Sequence, residues 1–189
     1  MRSMDHVETD RLLLRRWHHD DLDALTRVFR KPEVWWFPFK RGLTAEETEA
    51  FLGQKLSEWE SRGWSQWAVV TKEHRALIGF LGLCPPEFLP EVMPTVEVGW
   101  RIDPDYWGKG LATEGGRAAL DCGFDVLELD EIVSICEPEN VASSRVMERL
   151  GMIHDRDTKH PKLGVPLQVF KLRREQRSAP NGIRAIPGG

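Results

Sequence analysis

The stretch VEVGWRIDPDYWGKGLATEGGRAALDCGF, residues 96–124, changes its period twice and so fixes a junction around which the rest of the chain must fold. Val96, Val98, Trp100 and Ile102 alternate with Glu97, Gly99 and Arg101, the period of a strand whose two sets of side chains face opposite sides of a sheet. A tight turn at Gly108-Lys109-Gly110 follows, and small and apolar residues then recur at helical spacing, with Leu111, Ala118 or Ala119, and Cys122 on the core side. A helix that starts on glycines leaves its first N–H groups pointing outward with the helix dipole behind them, so the junction is a candidate anion site. The competing reading is a helix entry where Gly only relieves crowding. Neither common nucleotide signature fits. The dinucleotide pattern, counted from Gly108, puts Thr113 in its third glycine position, and Lys109 has no Ser or Thr directly behind it as a nucleoside-triphosphate loop requires.

At 189 residues the chain has material for one substantial core, and one domain over 1–174 is expected, with a Pro- and Gly-rich tail over 175–189 that has few core-forming residues and is expected to be disordered. The formal charge of −4 and the absence of a Lys/Arg block argue against a nucleic-acid partner. No apolar run is long enough for a membrane span and no leader-like start is present, which points to a cytoplasmic protein. Cys84, Cys122 and Cys136 lack the spacing of a zinc site, so no metal is expected and free buried thiols are.

Arg11–Arg16 reads as a strand, and Asp20 or Asp21 as the cap of a helix burying Leu22, Leu25, Val28 and Phe29. After the aromatic segment EVWWFPFKRG, Thr44 and Glu47 form a capping box for a helix that presents Phe51, Leu52, Leu56 and Trp59 and stops at Gly63. SQWAVVT and ALIGFLGL, joined by the charged turn KEHR, predict an antiparallel hairpin, with TVEVGWRI as a third strand. DEIVSICEP predicts a strand parallel to TVEVGWRI through a helical crossover. Asn140 then caps a helix carrying Ala142, Val146 and Leu150 on one stripe, and GMIHDRDT and PLQVFKLRRE close the series as strands. The order predicts an α/β fold (α+β in some schemes): a mixed, mostly antiparallel central sheet with helices on both faces. In open sheets ligands gather outside the carboxyl ends of strands, where the glycine turn lies.

The segment WGKGLA, Trp107 to Ala112, resembles the pyrophosphate-binding signature of the GNAT acetyltransferase superfamily, Gln or Arg, two residues, Gly, one residue, then Gly or Ala, with Trp107 in the Gln/Arg position. The larger block from Val96 to Phe124, the later NVASSRVMERLGM and the opening ETDRLLLRRW with DDLDAL are similar to the branch of ribosomal-protein N-terminal acetyltransferases. The resemblance spans about residues 8–173. It implies a GNAT-like acyl-CoA N-acyltransferase fold and transfer of an acetyl group from acetyl-CoA to an amine.

Carried onto this sequence, the resemblance assigns Trp107, Gly108, Lys109, Gly110, Leu111 and Ala112 to the CoA pyrophosphate, with the pantetheine arm between the strands TVEVGWRI and EIVSIC. A backbone N–H near Val98 or Gly99 becomes the oxyanion donor, Glu97 the acid that accepts a proton from the acceptor ammonium, Ser143 the hydroxyl near the CoA sulfur, and Asn140 a cofactor contact. Each has a simpler role as well: an ordinary surface carboxylate for Glu97, local backbone bonding for Ser143, a helix cap for Asn140, a solvated ammonium for Lys109. The tyrosine acid of many relatives has no counterpart, Tyr106 being the single Tyr of the chain. Trp35, Trp36, Phe37 and Phe39 occupy the region that walls the acceptor site in this branch, and are equally suited to a core. The histidines read as surface or loop residues, and Cys136 as a buried small hydrophobe. The acceptor is expected to be a peptide or protein N-terminal amine or a small amine such as an amino sugar or polyamine, for an enzyme that is a monomer or homodimer. A non-catalytic acyl-CoA-binding protein is the alternative.

Overall fold

A computed structural model of the chain describes residues 4–177. Its strands are β1 (His6–Glu8), β2 (Leu12–Arg15), β3 (Gln66–Thr71), β4 (Leu77–Cys84), β5 (Val96–Ile102), β6 (Glu131–Cys136), β7 (Ile153–Lys159) and β8 (Pro166–Arg173). The helices are α1 (Leu22–Phe29), the kinked single turn α2 (Trp36–Phe39), α3 (Ala45–Arg62), α4 (Leu111–Asp125) and α5 (Val141–Arg149). The strands form one sheet in the order β1-β2-β3-β4-β5-β6-β8-β7, antiparallel throughout except for β5 beside β6. The mixed, mostly antiparallel sheet with helices on both faces is therefore observed. β1 is an addition to the expected order: three residues, paired antiparallel with β2, are too short to show a period in sequence.

Successive residues of β4 reach opposite layers, as a pleated strand requires. Phe80 packs against Phe29 of α1 and Phe51 of α3, with ring centroids 6.0 and 5.1 Å away, while Leu81 lies where α4 crosses the sheet at Gly115. A Cβ added at Gly115 would sit 2.9 Å from a Leu81 methyl, and one at Gly116 would sit 2.8 Å from a Leu150 methyl, so these glycines set the close approach of α4 to sheet and α5. Among the described residues no helix is long and apolar enough to cross a membrane.

Several local expectations are met and others shift. Thr44 and Glu47 form the capping box of α3, and Gly63 ends it in the left-handed region at φ +74°. The buried stripe of α3 is Thr48, Leu52, Lys55 and Trp59, rotated so that Lys55 enters the core side and Phe51 and Leu56 are only partly buried. Lys55 is tolerated there because its ammonium meets Glu58 at 2.9 Å. Asp21 precedes α1 but does not cap it. Its carboxylate accepts from the His18 N–H at 2.8 Å and holds Arg15 at 2.6 Å. In α5 the buried side is Met147, followed by Leu150, and Ala142 is exposed. The tail expected from 175 begins in place, Arg177 reaching Asp121 at 2.7 Å, and 178–189 lie outside the described residues.

The β3–β4 ladder slips one residue, Val69 facing Gly79 and Val70 facing Leu77, and Gly79 absorbs the slip at φ +137°. A Cβ there would stand 2.0 Å from the Arg101 carbonyl oxygen, which is backbone and cannot swing aside. Gly79→Ala is expected to cost more than about 2 kcal/mol of stability, read as a lowered urea midpoint. An unchanged midpoint would contradict the close β4–β5 approach.

Candidate active site

β5 and β6 pair only at Val96–Ile132 and Glu97–Val133. On their outer sides the ladders continue, β4 along β5 to Ile102 and β8 along β6 to Cys136. Beyond Glu97 and Val133 the two inner edges thus separate, leaving backbone groups on both walls of a fork inside the sheet without a strand partner, the Ile135 N–H being taken by the Glu97 carboxyl. Such groups demand partners, and an extended ligand bearing amides supplies them as an added strand would.

The glycine turn follows β5. Gly108 and Gly110 both lie in the left-handed region, at φ +73° and +76°, and Gly110 is the N-cap of α4 with no side-chain cap. Among the described residues, no N–H from Gly108 to Thr113 donates to a protein acceptor. That run of unpaired amides at the positive end of a 15-residue helix favours an anion, which is the property a CoA pyrophosphate requires. The turn is braced from three sides. Arg11 binds Glu114 at 2.6 Å and donates to the Lys109 carbonyl at 2.8 Å; Lys31 bridges Asp103 and Asp105 at 2.6 and 2.7 Å; the Trp107 indole donates to Ile102 O at 2.7 Å. The Lys109 ammonium is taken up locally, donating to Asp105 O at 3.0 Å above the Tyr106 ring, so its backbone rather than its charge faces the amide run. Arg11 was not singled out from sequence, because nothing in a strand-flanking arginine signals a brace for a loop about a hundred residues away.

Glu97, Gly99 and Arg101 share one face of β5, the face covered by α1 and α3. Gly99 leaves an opening there: a Cβ at that position would lie 3.4 Å from Gln66 Nε2 and 3.8 Å from Glu97 Oε1. Desolvation pushes the Glu97 carboxyl up to about 7, against the opposing pull of the Ile135 amide across the fork and of the Arg101 and Lys55 charges. A carboxyl so placed is part ionised at neutral pH and is suited to exchanging protons. Desolvation also lowers Arg101 to about 10, against the pull of Glu97. Its guanidinium lies 4.1 Å from the Trp35 ring centroid and donates to Val34 O at 2.7 Å. Trp35 belongs to an aromatic cluster with Phe29, Phe51 and Phe80, whereas Trp36 and Phe39 are 55% and 49% exposed at its rim. The aromatic segment therefore divides between core and mouth. The turn that makes this division holds Phe37 against His160, and the other face of His160 stacks on Phe88 at 5.6 Å. His160 is accordingly buried among aromatic rings, not a surface histidine.

At the far wall, Asn140 Oδ1 accepts from the Ser143 N–H at 3.1 Å, the capping role that sequence allows it. The Ser143 hydroxyl, unlike that of Ser144, makes no hydrogen bond among the described residues and is free for a ligand. Burial pushes Cys136 up to about 11 and Cys84 higher still, so both stay protonated thiols and poor nucleophiles. No group of His, Cys, Asp and Glu among the described residues is arranged to hold a metal.

A sheet forked after one parallel pair, with an amide-lined glycine turn at the carboxyl end of the inner strand, defines the acyl-CoA N-acyltransferase class of fold. Residues 11–153 match the family described as Acetyltransferase (GNAT) domain, and the chain belongs to that family of acetyltransferases, which use acetyl-CoA. The uncharacterized N-acetyltransferase YnaD of Bacillus subtilis is 30% identical over 147 residues, covering 78% of this chain and 82% of that protein. Among solved structures, a GNAT-family acetyltransferase from Bacillus anthracis superposes with a TM-score of 0.75 at 26% identity, over 90% of this chain and 99% of that one. A putative ribosomal-protein-serine acetyltransferase from Vibrio cholerae gives 0.74 at 23% identity over 92% and 99%, a likeness of fold.

The electrostatics of β5 make a direct measurement available. Titration of the isotope-labelled Glu97 carboxyl by NMR is expected to give a midpoint near 7. Lys55→Met should move it higher, since a cation that stabilises the carboxylate is gone. A wild-type midpoint near the ordinary 4.5 would contradict the desolvated setting.

Proposed function

We propose that the enzyme acetylates a primary amine by direct attack on the acetyl-CoA thioester, with a peptide or protein N-terminus or a small amine as acceptor. The observation that carries this reading is the position of Glu97, a desolvated carboxyl at the point where β5 and β6 part. Acetyl-CoA enters as a substrate, its pyrophosphate on the amides of Gly108 to Ala112 and its pantetheine amides along the inner edges of β5 and β6.

An amine reaches the site as an ammonium and cannot attack until it loses a proton. Glu97 takes that proton, directly or through water, and its raised affinity for protons suits the task near neutrality. The amine nitrogen then bonds to the thioester carbonyl carbon. The oxyanion that forms accepts from a backbone N–H near Val98 or Gly99, a group fixed by the sheet and needing no rearrangement. Collapse of this intermediate breaks the carbon–sulfur bond and releases CoA as a thiolate that regains a proton. The Ser143 hydroxyl, at the first turn of α5, is the group assigned to the sulfur. Trp36 and Phe39 line the entrance and contact the acceptor beyond its amine.

Sign follows from the roles. The base works ionised, so kcat/KM of the wild type should rise with pH through about 7. Glu97→Gln should lower kcat/KM on the order of 10²-fold, lose the rise near 7, and recover part of the defect as higher pH supplies free amine. Ser143→Ala should show a smaller defect without that recovery. Profiles of both variants between about pH 6 and 9 with one good acceptor decide between the roles. If E97Q follows the wild-type profile, water or bulk solvent takes the proton and Glu97 is structural.

A further inference from the structure

Two donors on the acceptor face stand without acceptors. Arg101 spends one N–H on Val34 O and rests its guanidinium face 4.1 Å above Trp35, and among the described residues its other donors have no acceptor. The Trp35 indole N–H, on a side chain 9% exposed, has no hydrogen-bond partner either. Leaving a desolvated cation with unspent donors is costly, and a hydrogen-bond acceptor carrying negative charge relieves it. The Trp35 ring and the bond to Val34 O anchor the guanidinium, whose remaining N–H groups offer the fork that matches a carboxylate.

We propose that Arg101 receives a carboxylate of the acceptor, so that the substrate is an amine bearing a carboxylate several bonds from the nitrogen that is acetylated. The inference rests on the amine-acetylation reading of the same site. Spacing sets the separation. Glu97 and Arg101 lie four residues apart on one face of β5, about 13 Å between Cα atoms, and Glu97 Oε1 would stand 3.8 Å from a Cβ at Gly99, so the carboxyl reaches along the strand beside Gly99. An amine at Glu97 therefore meets Arg101 through a chain of several atoms. The local charge agrees. Glu97 is flanked by Arg101 and by Lys55, and Lys55 shares the single Glu58 carboxylate with Arg62, at 2.9 and 3.1 Å, so cations outnumber anions here. With the acceptor ammonium on Glu97, Arg101 is the cation left facing the ligand. A polyamine would bring its next charge against it, whereas a carboxylate completes an alternating set.

The test is a ladder of ω-amino carboxylic acids, from glycine to 6-aminohexanoate, each compared with its own carboxamide. CoA release is measured on wild type, Arg101→Gln and Arg101→Lys. In the wild type the acid-to-amide ratio of kcat/KM should reach on the order of tenfold or more at the longer members, chiefly through KM, and spermidine should be a poor acceptor. The ratio should collapse toward one in R101Q and fall between in R101K, which keeps the charge but not the fork. A second readout needs no turnover: with CoA present, 6-aminohexanoate should raise the melting temperature of wild type more than its amide does, and R101Q should lose the difference. A wild type with no acid preference at any length overturns the proposal, as does an equal preference in R101Q. If no amine is acetylated, the acetyl-transfer reading fails, and the melting comparison still decides whether Arg101 holds a carboxylate.

Discussion

The proposed activity of this molecule depends on the parting of β5 and β6. The two strands share one short parallel contact at Val96–Ile132 and Glu97–Val133 and then diverge, although each keeps its full ladder on the other side. A break inside a sheet is expensive, since it strands backbone donors and acceptors in the middle of the fold. It persists because the outer ladders and the layers above and below hold each wall independently. α4 lies close on the sheet through Gly115 and Gly116, and the aromatic cluster of Phe29, Trp35, Phe51 and Phe80 fills the opposite side. On the proposed reading the fork takes one strand-like ligand.

Charge is handled differently at its two ends. At the glycine turn, attraction for an anion comes from backbone amides and a helix terminus rather than from basic side chains, and the nearby cations Arg11, Lys31 and Lys109 are spent bracing the turn. On the proposed reading this is how a chain with a net charge of −4 accommodates a polyanionic substrate. On the acceptor side the important charges are few and desolvated, so each counts for more. Glu97 is pushed toward the proton-exchanging range, and Arg101 is kept on Trp35 with donors to spare. A group at the surface would do neither, because water would screen it.

Much of this could be read from the chain. The strand period of 96–102 placed Glu97, Gly99 and Arg101 on one face, the glycine turn announced the anion site, and Thr44, Gly63 and Asn140 marked helix ends that the structure keeps. These features are local, and local chemistry decides them. What sequence concealed depends on distant neighbours. Lys55 sits at a helix position that looks solvent-facing until Glu58 and Arg62 close around it, Asp21 gives up its cap to Arg15, and Trp35 separates from Trp36 only through the kinked turn of α2. Arg101 lay in view as a member of the right face, but its stacking on Trp35 and its unused donors are properties of the packed cleft.

The central claim is that the fork and the glycine turn together receive acetyl-CoA, and amide hydrogen exchange with and without saturating CoA tests it most directly. The account predicts slowed exchange along 98–102 of β5 and 134–136 of β6, together with 108–113 at the start of α4, because the first two segments line the fork and the amides of the third lack protein acceptors. Bound CoA that leaves those three segments exchanging as before, or that protects a different part of the sheet, would contradict it.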